Sequence, residues 1–186
     1  MSRLPKLVIL DRDGVINQDS DDYIKSADEW IPISGSLEAI ARLNHAGVQV
    51  AVASNQSGIG RGLFTPEDLN QMHAKLQRAL ARLGGHIDGV FFCPHTPEDR
   101  CECRKPAPGL LRSISLRFGL PLTTVPFIGD TKTDVDAALA AKAQPILVRT
   151  GKGLRTRANH PELLSLPWFN DLADAVDHLL EGSLRP

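Results

Sequence analysis

Two aspartates separated by a single residue, Asp11 and Asp13, follow the apolar run Leu7-Val-Ile-Leu10 and precede Gly14. Directly after a buried strand, such a pair meets across a tight turn, where like charges are costly unless a cation joins them. Asp130 and Asp134, after the run Val125-Pro-Phe-Ile128, add more acidic groups of the same kind. Oxygen ligands crowded in this way suit a hard divalent ion that stays partly hydrated and grips a substrate phosphate, and magnesium is the usual choice. A carboxylate can attack phosphorus to form an aspartyl phosphate, which splits a difficult displacement into two easier ones. Asp11, first off the strand, is the expected nucleophile. Asp13 is then the expected general acid toward the leaving alkoxide and, later, the base toward water. Charge on the transferring phosphoryl oxygens needs fixed donors too, for which Ser54, the backbone after it and Lys105 are candidates.

A second constellation is softer chemistry. Cys93-Pro-His95 and Cys101-Glu-Cys103 hold every cysteine of the chain and supply three thiolates and one imidazole, a full tetrahedral set for zinc. With no position left for water the site is structural. Zinc in comparable small sites supplies about 10–16 kcal/mol of folding free energy. An odd number of cysteines packed so closely does not build a disulfide framework. Arg104 and Lys105 follow the last ligand without a gap, so the metal is expected to pin the loop that delivers them.

These residues need strands and helices to bring them together. Runs at Leu7–Leu10, Val48–Ala53, Gly89–Phe92, Val125–Ile128 and Pro145–Val148 are continuously apolar, as in a parallel sheet covered on both faces. Helical patterns at Ser36–Ala46, Pro66–Leu83, Pro108–Phe118, Thr133–Ala141 and Asn170–Leu180 alternate with them. Thr65 is the expected cap of the second helix and Gly84-Gly85 its stop, with Met72, Leu76, Leu80 and Leu83 on one core-facing stripe. The alternation predicts an α/β fold, a doubly wound parallel sheet in one domain spanning 1–186. Residues 151–168 carry no clear period and are expected to wrap the surface. In such folds ligands sit beyond the carboxyl ends of the strands. Asp11 with Asp13, Ser54 with Asn55 and Gln56, Arg104 with Lys105, and Asp130 with Asp134 all fall there.

Asp11-Arg-Asp13-Gly14-Val15, Ser54-Asn55-Gln56, Lys105 and Gly129-Asp130 with Asp134 resemble the four motifs of the haloacid dehalogenase superfamily of phosphatases. Within it, the run Asn55 to Gly62 and the stretch Cys93 to Pro106 are similar to the heptose 1,7-bisphosphate phosphatases of lipopolysaccharide synthesis. The resemblance implies a Rossmann-like fold without a large cap domain and an aspartyl phosphate on Asp11. It implies magnesium held by Asp11, the Asp13 carbonyl and Asp130, and zinc held by Cys93, His95, Cys101 and Cys103. Ser54 and Lys105 would hold the transferring phosphate, with Asp134 orienting the lysine or the metal shell. Asp19, Asp22 and Tyr23, together with Asn55, Gln56, Ser57 and Arg104, would contact the sugar phosphate, and Arg61 and Lys152 the phosphate that stays.

The remaining numbers narrow the alternatives. With 186 residues, 42% hydrophobic, 23% charged and a formal charge of −1, the chain has the composition of an ordinary globular protein. No electrostatic signal points to nucleic acid or a membrane surface. No apolar run reaches a membrane span and the first residues lack a signal-peptide core, so a cytoplasmic monomer acting on a small phosphorylated sugar is expected. Histidinol phosphate phosphatases share the motifs and the zinc loop, and the run from Gln56 to Gly62 favours the heptose substrate over theirs. A receiver domain that stores a phosphoryl group, or a zinc-stabilised binding module, is the non-catalytic reading. Asp13 two residues past the nucleophile argues for turnover.

Overall fold

The computed structural model describes residues 4–182. Its strands are β1 (Leu7–Leu10), β2 (Gln49–Asn55), β3 (Gly89–Cys93), β4 (Pro126–Gly129), β5 (Gln144–Val148) and β6 (Trp168–Phe169). They form one sheet in the order β3-β2-β1-β4-β5-β6, with every pairing parallel. That order is a doubly wound, Rossmann-like sheet whose winding reverses between β1 and β4.

β1 shows why the sheet is covered on both faces. All four of its residues are fully buried, yet Val8 and Leu10 belong to one apolar cluster and Leu7 and Ile9 to another. Period two along the strand thus splits a continuous apolar run between two cores. The first core is closed by α1 (Ser36–His45), α3 (Pro66–Ala81) and α7 (Leu172–Glu181), the second by α4 (Gly109–Phe118) and α5 (Lys132–Ala141). Each large aliphatic side chain buried there contributes about 1.5–3 kcal/mol. The α3 helix starts as its sequence predicts, with a capping box between Thr65 and Asp68 and Pro66 in the first turn.

Two expectations need correction. Met72, Leu76 and Leu80 are buried, but Leu83 lies past the end of α3 and is partly exposed, because the helix closes before the stripe can reach it. Residues 151–168 do not simply wrap the surface. They form α6 (Gly153–Asn159) and a short turn at Pro161–Leu163, then enter β6, which adds a sixth strand beside β5. A short helix α2 (Ser57–Gly60) also follows β2. Among the described residues no helix is long and apolar enough to cross a membrane.

Candidate active site

Because β1 pairs with β4 through Ile9 with Phe127 and Leu10 with Ile128, the chain leaves both strands at one level. The Asp11 N–H extends the ladder, donating to the Ile128 carbonyl at 2.9 Å. Asp11 and Asp130 therefore flank the reversal point. Asp134 joins them from the first turn of α5, where its Oδ2 accepts from the N–H groups of Asp130 and Thr131 and from the Thr131 hydroxyl. Carboxylate oxygens of Asp11, Asp130 and Asp134 lie within 4.8 Å of one another.

Lys105 is the cation among them. Its Nζ is 2.9 Å from Asp11 Oδ1 and 2.7 Å from Asp134 Oδ1, and donates to the Ala53 carbonyl at 2.8 Å. Asn55 fixes the lysine backbone by accepting its N–H and donating to its carbonyl, both at 3.0 Å. Asn55 also lines the cleft where substrate was expected, with its amide engaged by the lysine backbone.

Three buried carboxylates against one ammonium leave an excess of negative charge. Burial raises Asp11 to about 7, with Lys105 opposing and Asp134 and Asp13 adding to the rise. Burial, then Asp134 and Asp11, push Asp130 well above its ordinary value. Burial works against the Lys105 ammonium, yet Asp11 and Asp134 hold it above its usual range. Asp130 Oδ1 is buried and has no hydrogen-bond partner among the described residues. Its other oxygen takes the Lys152 N–H at 2.6 Å. A hard divalent cation satisfies both the orphaned oxygen and the charge excess. Gly14, at φ 83°, and Gly151, at φ 57°, close around the same carboxylate, and a Cβ on either would collide with it.

The metal should reveal itself through linkage. Asp11 and Asp130 bind protons more tightly when folded than when unfolded. The stability Asp11 contributes is full below the unfolded carboxylate value of about 4 and is lost as pH rises through about 7, and Asp130 acts in the same direction. Magnesium competes with those protons, so it should raise the melting temperature more at about pH 8 than at about pH 5.5. Thermal unfolding with and without Mg2+ measures this; an equal increment at both would remove these carboxylates as ligands.

Asp13 lies at the cleft edge with its carboxylate gripped by Arg12, Asn17 and Gln56. Burial alone would raise it, but the Arg12 guanidinium, followed by the two amides, holds it below the usual carboxylate range. The cleft itself, about 260 Å³, is lined by Asp11, Asp13, Asp130 and Lys105 on the strand side and by Asp19, Asp21, Tyr23 and Arg104 on the walls. Tyr23 takes a left-handed φ of 65°, an unusual conformation for a bulky residue. Ser57 and Gln56 also face the cleft, while Ser54 lies beneath with its hydroxyl accepting from the Gln56 amide at 2.7 Å.

Not every expected residue reaches this space. Asp22 is exposed and lies off the lining, where its neighbours Ser20 and Asp21 stand instead. Arg61 is exposed, 3.8 Å from Glu98. Lys152 does line the cleft, its Nζ 3.0 Å from Asp19 and 3.4 Å from Asp21. Thr131 and Thr133, which sequence reasoning passed over, also line it. Their place beside Asp130 at the start of a helix was the available signal.

The cysteine cluster sits next door. Cys93 Sγ, Cys101 Sγ, Cys103 Sγ and His95 Nδ1 approach each other at 3.1–3.5 Å. Those separations are too long for a disulfide and close to the edges of a tetrahedron with metal–sulfur bonds of about 2.3 Å. Burial pushes the Cys93 thiol up to about 12, so a cation is what makes its thiolate favourable. Arg104 donates its N–H to Cys101 Sγ at 3.4 Å and a guanidinium N–H to the His95 carbonyl at 3.3 Å.

Comparison with known proteins places this arrangement. The chain is 53% identical over 182 residues to D-glycero-beta-D-manno-heptose-1,7-bisphosphate 7-phosphatase of Pseudomonas aeruginosa, covering 97% of this chain and all of that protein. The chain belongs to the heptose 1,7-bisphosphate phosphatase family. A second member, from Neisseria meningitidis serogroup A, is 48% identical over 97% of this chain and 98% of its own length. The crystal structure of the Bordetella bronchiseptica (B. bronchiseptica) phosphatase, complexed with magnesium and phosphate, superposes with a TM-score of 0.93. It is 50% identical and covers 95% of this chain and 99% of that one. The HAD-hydrolase-like family model matches residues 102–175, from the zinc loop through the acidic end of β4 into α7.

Proposed function

We propose that the chain hydrolyses the 7-phosphate of D-glycero-beta-D-manno-heptose 1,7-bisphosphate, releasing heptose 1-phosphate and inorganic phosphate for lipopolysaccharide heptose synthesis. The convergence of Asp11, Asp130 and Lys105 at the sheet's reversal point, in a family whose members carry that name, supports this reading above all. In it, residues 1–186 act as one cytoplasmic, monomeric phosphatase domain whose partner is the sugar bisphosphate, without nucleic acid or membrane.

Asp11 attacks phosphorus, forming an O–P bond as the sugar oxygen leaves with a proton from Asp13, which takes that proton up only as the substrate binds because Arg12 keeps the free carboxyl below its usual range. Asp13, now ionised, takes a proton from water as the water oxygen attacks the aspartyl phosphate and frees Asp11. Lys105, with Ser54 and the backbone after it, balances the phosphoryl charge, and Asp134 holds the lysine in place. Asp11, the Asp13 carbonyl and Asp130 would hold magnesium, which when bound neutralises phosphoryl charge and keeps Asp11 ionised. Cys93, His95, Cys101 and Cys103 would hold zinc as a structural ion. Asp19, Tyr23, Ser57, Arg104 and Lys152 then surround the sugar and its second phosphate.

Catalytic efficiency on the two anomers of the bisphosphate and on histidinol phosphate tests the assignment. The β-anomer should be preferred over histidinol phosphate by at least ~100-fold, because the walls' cations are matched to a second phosphate. A preference for histidinol phosphate would overturn the substrate.

A further inference from the structure

Arg12 separates the nucleophile from the acid–base residue and is fully buried, yet it does not line the cleft. Its Nε and one terminal nitrogen donate to the two oxygens of Asp13, each at 3.0 Å. The same terminal nitrogen donates to Gln56 Oε1 at 3.3 Å, and the other donates to the Met72 sulfur at 3.6 Å. Asn17 adds a bond to Asp13 Oδ1 at 2.8 Å and Gln56 one to Oδ2 at 2.9 Å. Each Asp13 oxygen thus accepts two hydrogen bonds, and a carboxylate has about four such sites. Its plane is fixed.

We propose that Arg12 is a positioning residue that orients the Asp13 carboxyl for proton transfer to the leaving oxygen and from the attacking water. The inference rests on the acid–base role given to Asp13 above. A buried guanidinium–carboxylate pair adds little net stability compared with apolar residues of the same volume, so fold stability does not account for an arginine here. What a two-armed guanidinium supplies, and a lysine does not, is a fixed orientation of both carboxylate oxygens. Arg12 and Asn17 are fully buried, whereas Gln56 reaches the cleft. The Gln56 amide is therefore the bond that yields when the substrate oxygen arrives, and Oδ2 is the atom that carries the proton.

Leaving-group dependence separates this role from a merely structural one. Arg12→Lys and Arg12→Met are compared with the parent on the sugar bisphosphate, whose alkoxide must be protonated, and on dinitrophenyl phosphate, whose phenolate leaves without a proton. Both variants should lose ~100-fold or more on the sugar bisphosphate. Their pre-steady-state burst of phenolate should stay within ~5-fold of the parent, followed by slow steady turnover because water attack also uses Asp13. Arg12→Lys keeps charge and stem and carries the test if the Met variant does not fold. Equal losses on both substrates, or full turnover by Arg12→Lys, overturn the proposal. Asp13→Asn is the control: if it lacks the same burst-retained pattern, the acid–base reading of Asp13 fails instead.

Discussion

Asp11→Asn is expected to lower phosphate release by at least ~10⁴-fold while leaving the metal-free fold as stable as the parent or more so. An amide cannot form the acyl phosphate, and no neighbouring carboxylate can replace it, because Asp134 is committed to Lys105 and the start of α5. The fold should tolerate the change. Asp11 is buried among Asp13, Asp130 and Asp134, and burial holds its carboxyl up to about 7, so above that pH the ionised form is a burden. Asn keeps the acceptor that receives the Arg12 N–H at 2.7 Å, and Lys105 retains Asp134 and the Ala53 carbonyl. Thermal unfolding without Mg2+ should therefore give an equal or higher melting temperature, and most of the Mg2+-induced increment should vanish. Steady-state phosphate release, with mass spectrometry to confirm the amide, completes the test. Turnover within tenfold of the parent would end Asp11's candidacy as nucleophile.

The residues in that prediction were legible from the sequence because each belongs to a short motif at the end of an apolar strand. Their chemistry is local, and so is the signal. What brings them together is not local: the order β3-β2-β1-β4-β5-β6 sets Asp11 beside Asp130, and only the rule that ligands collect at strand ends anticipated it. Shorter elements escaped for a physical reason. The helix Gly153–Asn159 has too few turns to show a period, and β6 is two residues long. Side-chain partners were less legible still. Arg12 read as a spacer between two aspartates, because nothing in a local pattern says that an arginine will be buried. Asn55 read as a substrate contact and does line the cleft, but the grip of its amide on the Lys105 backbone 50 residues away left no local signal. Arg61 read as a phosphate ligand and points instead to Glu98 on the zinc loop.

That loop carries the second large prediction. Cys103→Ala should lose zinc, melt roughly 10–20 °C lower, and release phosphate much more slowly even where it remains folded. Losing about 5 kcal/mol of metal-linked stability in a chain of this size accounts for the melting shift. The loss of rate has a separate cause. Lys105 lies two residues after Cys103, and its ammonium must reach between Asp11 and Asp134 while Asn55 grips its backbone. Arg104, between them, bonds to Cys101 Sγ and to the His95 carbonyl, so both cations hang from the cluster. If the thiolates are no longer drawn together, the loop gains freedom, and a displacement of about 1 Å at Lys105 can cost ~100-fold in rate. Zinc content, melting temperature and kcat on the same preparation, assayed well below the new melting point, separate the two effects. A zinc-free variant with full turnover would show that the cluster serves stability alone and that Asn55 suffices to place the lysine.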